Sequence, residues 1–239
     1  MKIVLRVRRF DPAVDSEPRD RDYTVSAEPA ERVLDALLRV KEEQDGSLSF
    51  RKSCAHGVCG SDAMVIAGRE RLACRTLVRD VAAEDGAVVT VEPLKHFPVQ
   101  RDLVVDQGTF FEKYRSVMPF LVNNEPPADR ERIQSPEERA AFDEATSCIL
   151  CGACYSACPV FEKNPDYIGP AAIVQAARFV FDSRDKGLAD RLAVLDSPNG
   201  VWACENHFDC TRVCPRGIKV TKLINATKRA VTKFKEGHA

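Results

Sequence analysis

No run in this 239-residue chain approaches the roughly 18 consecutive apolar residues that a membrane-spanning helix requires. Its start, MKIVLRVRRFDP, alternates apolar and charged residues and lacks the apolar segment of a secretory signal. An excess of one charge is missing as well. The 35 Lys and Arg nearly balance the 36 Asp and Glu, leaving a formal net charge of −1. That balance gives no global attraction to nucleic acid or acidic lipid. Only one tryptophan occurs, Trp202, and a lone aromatic serves packing more often than ligand contact. These absences point to a cytoplasmic protein that reaches a membrane only if a partner holds it there.

What the chain does have is ten cysteines. Their number is even, but a reducing compartment and their tight clustering argue against a disulfide framework. Metal remains, and the spacings specify which kind.

The first part reads as a small mixed sheet covered by a helix. Ile3, Leu5 and Val7 share one face of a strand, and Tyr23 to Ser26 offers a second. Pro29 suits the first turn of a helix that carries Val33, Leu34, Leu37, Leu38 and Lys41 and ends near Asp45-Gly46. The stretch AMVIAGRERLAC predicts two short strands about a turn at Gly68, and GAVVTVEPL a last strand. The fold class expected for residues 1–105 is therefore α+β. After NNEPPAD, a Pro-rich linker, Ser135-Pro136-Glu137-Glu138 forms a capping box that should open a helix towards Cys148. PAAIVQAARFVFDSR, KGLADRLAVL and Lys219–Lys235 predict further helices, so residues 106–239 should be helical with two cysteine-rich loops. The last helix carries an apolar stripe of Val220, Leu223, Ile224, Thr227, Val231 and Phe234, and its basic residues read as a solvated face.

In the first part, Cys54-x4-Cys59-x2-Asp62 is followed, across eleven intervening residues, by Cys74. Plant-type ferredoxins hold [2Fe–2S] with C-x4-C-x2-C and a distant fourth cysteine. A loop that wraps an anionic cluster needs thiolates pointing inward and backbone N–H groups aimed at sulfur, and Gly57 and Gly60 permit that path. The four-residue spacer differs from the two-residue knuckle of zinc. Asp62 stands where the third thiolate would be, and its carboxylate can complete four-coordination at ferric iron. His56 reads as a hydrogen-bonding loop residue.

The second part contains one run twice. Residues 148–159, CILCGACYSACP, and residues 204–215, CENHFDCTRVCP, follow the same C-P-terminated pattern, with His207 where the first run has Cys151. In two-cluster bacterial ferredoxins the fourth cysteine of each run ligates the other run's cluster. The swap would give Cys148, Cys151, Cys154 and Cys214 to one [4Fe–4S] cluster. Cys158, Cys204 and Cys210 would face a second core that is one thiolate short, which suits [3Fe–4S]. On the residues alone, His207 either binds a fourth iron through a ring nitrogen or lies beside the open corner as a proton or hydrogen-bond donor.

With these motifs in place, the chain resembles the iron–sulfur subunits of succinate:quinone oxidoreductases (succinate dehydrogenases) and quinol:fumarate reductases. RKSCAHGVCGSDAM is similar to the family's first cluster loop, NPDYIGPAAIVQAARFVFDSRD to its connecting helix, and CTRVCPRGIKVT to its closing run. The resemblance implies a β-grasp, plant-type ferredoxin-like domain followed by an all-α, bacterial two-cluster ferredoxin-like domain. It also implies a relay. Electrons pass from FAD in a flavoprotein subunit through [2Fe–2S], [4Fe–4S] and [3Fe–4S] to quinone at a membrane-anchor subunit, which in some members holds haem. No catalytic acid or base is expected here, because succinate is oxidised on another subunit. The subunit would lie peripherally on the cytoplasmic face of the inner membrane. The family pattern favours [3Fe–4S] at the third site, with His207 near the quinone. Pro159 and Trp202 join His207 as candidate quinone contacts. Where relatives have a tryptophan shortly after the proline matching Pro159, this chain has Phe161, Glu162 and Lys163. The alternatives are a fumarate reductase running the other way, a free ferredoxin, or a zinc-stabilised binding module.

Overall fold

Side-chain alternation decides the first elements of the computed structural model, which describes residues 1–126 and 131–237. Ile3, Leu5 and Val7 face inward from β1 (Lys2–Arg9), and Tyr23 and Val25 do so from β2 (Arg19–Ser26). The two strands pair antiparallel along their whole length. Helix α1 (Val33–Glu43) buries Val33, Leu34, Ala36, Leu37 and Val40, an i, i+3, i+4 stripe against the sheet's apolar face. β3 (Ala63–Ile66) and β4 (Arg69–Leu72) form a hairpin through Ala67 and Gly68, both left-handed. β5 (Val88–Glu92) runs parallel to β1 and antiparallel to β3, giving the order β2-β1-β5-β3-β4. This is the mixed, helix-covered sheet of a β-grasp.

Two local expectations fail. Pro29 lies in the turn before α1, whose cap is Arg32, and not inside its first turn. The last strand is not β5. A short hairpin follows, β6 (Val99–Arg101) and β7 (Val104–Val105), turning at Asp102 with φ 49°. Its two strands are too brief to show a period in sequence.

That hairpin anchors the approach to the first cysteine loop. Asp102 accepts hydrogen bonds from the Phe10 and Ser49 N–H groups (3.0 and 2.9 Å), and Arg51 donates to the Val105 carbonyl (2.7 Å). Arg9, itself buried, bridges Asp102 (2.8 Å) and Asp45 (2.6 Å), while Tyr23 donates to Asp45 (2.7 Å). Burial works against the Asp45 carboxylate, but hydrogen bonds from Ser47, Tyr23 and Arg9 outweigh it and hold the group well below the ordinary carboxylate range.

The chain divides into two units. The first comprises Met1–Gln107 together with Ile149–Ala157, and the second Gly108–Cys148 with Cys158–Ala239. In the first unit α4 (Ala153–Ser156) packs near β4. Ser156 accepts from the Lys95 N–H (2.8 Å) and donates to the buried Glu70 carboxylate (2.9 Å), and Tyr155 packs its ring on Phe97.

The second unit is helical. α6 (Pro170–Val180) is buried on nearly every side, as a helix apolar all round must be. α2 (Gly108–Ser116), α3 (Pro136–Thr146) and α9 (Val220–Glu236) pack against it. Ser135 caps α3 by accepting from the Glu138 N–H, and Glu138 returns the bond to Ser135, the expected capping box. α9 buries Val220, Leu223, Ile224, Thr227 and Val231 and exposes Lys222, Arg229, Lys233 and Lys235. α5 (Val160–Lys163), α7 (Leu188–Leu195) and α8 (Asp209–Arg212) complete the unit. α2 was not anticipated: it buries only Phe110 and so offers no apolar stripe. Fully buried Arg191 pairs with Asp185 (2.7 Å) and donates to the carbonyls of Val117, Met118 and Phe120. Pro127 to Asp129, part of the expected linker, lie outside the described residues. Among the described residues no helix is long and apolar enough to cross a membrane.

Candidate metal centres

None of the ten cysteines is paired in a disulfide. Among the described residues, no three His, Cys, Asp or Glu side chains converge as one metal ion would require.

In the first unit the loop from Cys54 to Cys59 curls around the Cys54 sulfur. The N–H groups of His56, Val58 and Cys59 approach it at 3.5, 3.4 and 3.3 Å. Ala55, Gly57 and Gly60 take positive φ to make this path. A Cβ on Gly60 would lie 2.6 Å from the Cys151 Cβ, so glycine there serves close approach as well as conformation. The donors, His56 and Cys59 first, bring the Cys54 thiol down to about 6. Cys59 is exposed and its sulfur meets the Ser61 hydroxyl at 3.1 Å. Cys74 is buried, and burial, reinforced by neighbouring Asp62, pushes its thiol up to about 12. Asp62 is buried too; its carboxylate accepts from the Cys74 N–H at 2.5 Å. The structure thus brings Asp62 beside Cys74. The His56 ring meets the Cys54 carbonyl at 2.6 Å, as a loop residue would.

Cys151 and Cys154 belong to the first unit, Cys148 and Cys214 to the second.

Within the second unit, Cys158, Cys204 and Cys210 line one pocket together with Pro159, Tyr167, His207 and Thr221. Cys158 therefore stands among the cysteines of the other run. Asn206 and Phe208, both left-handed, fold the backbone around this pocket, and Lys228 fixes it by donating to the Cys204 carbonyl at 2.9 Å. Burial pushes the Cys158 thiol up to about 12 and also raises Cys210, whose sulfur lies 3.5 Å from the Thr221 hydroxyl. The Tyr167 hydroxyl is buried in the lining, without a hydrogen-bond partner among the described residues. Three thiols and an orphaned donor around one pocket fit a sulfur-rich inorganic core. His207 is held at the rim, its ring 2.9 Å from the Glu205 carboxylate, with Lys163 4.0 Å from the same group. Trp202 is half exposed and donates its N–H to Asp196 at 2.8 Å. Sequence reasoning passed over Tyr167, since one aromatic between Asp166 and Ile168 belongs to no periodic pattern.

Comparison with known proteins finds two cluster-binding domains along the chain. A 2Fe-2S iron-sulfur cluster binding domain matches residues 4–112, and a 4Fe-4S dicluster domain matches residues 144–218. Fold and sites together define an iron–sulfur electron-transfer protein with a plant-type and a bacterial-type part. The fumarate reductase iron-sulfur subunit of Mycobacterium tuberculosis is 46% identical over 95% of this chain and 92% of its own length. The succinate dehydrogenase iron-sulfur subunit of Coxiella burnetii is 41% identical over 91% and 92%. A chain of the solved Mycobacterium smegmatis Sdh1 complex in the apo form superposes with a TM-score of 0.86 at 33% identity, covering 97% of this chain and 96% of that one. The chain belongs to the family of iron–sulfur subunits of succinate dehydrogenases and fumarate reductases, electron-transfer parts of an oxidoreductase complex.

Proposed function

We propose that this subunit carries electrons from the FAD of a flavoprotein partner, through three clusters, to a quinone held at a membrane-anchor subunit, in the direction of succinate oxidation. Residues 1–105 carry the first cluster, on Cys54, Cys59, Asp62 and Cys74. Residues 106–239 carry [4Fe–4S] on Cys148, Cys151, Cys154 and Cys214, and [3Fe–4S] on Cys158, Cys204 and Cys210. The observation that carries this reading is the pocket shared by Cys158, Cys204 and Cys210, because a terminal cysteine crossing to the other run is the signature of a two-cluster ferredoxin. When bound, each cluster supplies one-electron transfer. The chain's own groups fix the rest: N–H donors around Cys54, burial around Cys158 and Cys210, and a pocket rim where His207 already engages Glu205.

His207 is a bystander at the open corner in this reading, and the quinone approaches past Pro159, His207 and Trp202. Exposed Phe208 and Trp202 give that side an apolar rim, suited to a membrane-anchor partner on the cytoplasmic face of the inner membrane. Electron paramagnetic resonance on the anaerobically purified complex tests the cluster set. An oxidised-state signal near g of ~2.01, the mark of [3Fe–4S], is expected. Its absence, with an additional [4Fe–4S] signal on reduction, makes His207 a ligand and refutes the assignment. Relatives bear both names, and a fumarate reductase would use identical parts, so the ratio of succinate-driven to quinol-driven turnover decides direction.

A further inference from the structure

Tyr167 is among the largest fully buried side chains of the molecule, and its hydroxyl has no hydrogen-bond partner among the described residues. Buried polar groups are almost always satisfied, so an orphan marks a strained spot or a place that another group completes. The surroundings of Tyr167 favour the second. Its backbone N–H is tied to the Asn164 carbonyl (3.2 Å), and the next N–H, of Ile168, to that of Asn199 (2.9 Å). The Asn164 side chain donates to that of Asn199 at 3.0 Å, joining the two segments, and the Phe161 ring packs on the phenol with centroids 5.4 Å apart. The phenol is thus held in place while its polar end is left open. It lines the pocket of Cys158, Cys204 and Cys210.

We propose that the Tyr167 hydroxyl donates its hydrogen bond to a sulfur of the centre held by Cys158, Cys204 and Cys210, and thereby raises that centre's reduction potential. This inference rests on the three-cysteine assignment above. A donor aimed at sulfur stabilises the reduced, more negative state more than the oxidised one. Tyr167 is a positioning residue, since it supplies a dipole and exchanges no electron.

The test is an EPR-monitored redox titration of the intact complex carrying Tyr167→Phe, which removes one oxygen and keeps the ring. The oxidised-state signal should persist while its midpoint potential falls. Replacing Tyr167 site-specifically with 3-fluorotyrosine, a stronger donor of nearly the same size, should move the midpoint the opposite way. Proton ENDOR on the wild-type complex should show a strongly coupled exchangeable proton that the Phe variant lacks. If the Phe variant does not assemble its centre, the fluorotyrosine complex and the wild-type spectrum decide alone. An unchanged midpoint in either substituted complex, or no such proton in the wild type, overturns the role of Tyr167. A wild-type complex without a three-iron signal overturns the ligand set instead, so the two failures are distinguishable.

Discussion

In the first unit Cys54 sits half-buried with three backbone N–H groups turned to its sulfur, whereas in the second unit Cys158 and Cys210 are buried against apolar neighbours and hydroxyl groups. The two thiols respond in opposite directions, Cys54 down to about 6 and Cys158 up to about 12. One site stabilises negative charge with donors built into a loop. The other sets its thiols in a pocket that withholds solvent. The same thiol group is thus pushed in opposite directions by two kinds of surroundings.

The sharpest way to break the comparison is to remove a ligand from the pocket. Cys210→Ser should abolish the three-iron signal and quinone-coupled turnover, while succinate oxidation with a soluble dye and the [2Fe–2S] signal persist; EPR with paired assays reads both. Next in size is Arg9→Met, which leaves Asp45 and Asp102 without their buried cation. A loss of about 3–5 kcal/mol is expected for a broken buried pair, seen as earlier unfolding of the first unit in denaturant. Gly60→Ala forces a positive φ on a residue with a Cβ and drives that Cβ towards Cys151. About 2–4 kcal/mol is expected from strain and overpacking together, and the [2Fe–2S] signal should weaken before the three-iron signal does.

Acid gives a smaller, graded contrast. The folded Asp45 carboxyl lies below its unfolded value, so the unfolded chain binds more protons as pH falls through about 4. The stability Asp45 contributes is full above that pH and drains away below it, and Asp45→Asn should flatten this slope in denaturation curves taken between about pH 5 and 3. The smallest effect belongs to His207→Leu. Its contact with the Glu205 carboxylate is solvent-exposed, so little stability should be lost. The variant should keep the three-iron EPR signal, and conversion to another cluster type would refute the bystander assignment.

Much of the fold was legible because period and capping carry it. Ile3, Leu5 and Val7, the turn at Gly68, the box at Ser135 and the stripe of α9 each announce their element through local spacing. α2 and the β6–β7 hairpin were not legible, because one is held by Phe110 alone and the other by tertiary bonds through Asp102. The cysteine-rich runs were legible for a different reason: cluster chemistry fixes the spacing of loops such as those of the two matched domains. Hydrogen bonds around the thiols have no such spacing. The bond from the Cys74 N–H to Asp62, the Lys228 bond behind Cys204 and the orphaned Tyr167 hydroxyl depend on where distant segments meet.

The stretch from Ile149 to Ala157 belongs with the sheet while the residues on either side of it belong with the helices. A fragment stopping at Gln107 would lose Ser156 from Lys95 and Glu70, and Tyr155 from Phe97. No single truncation can therefore yield either half with its full complement of partners. Any scheme for producing the pieces separately would have to graft this nine-residue insert onto the first half or accept a frayed product.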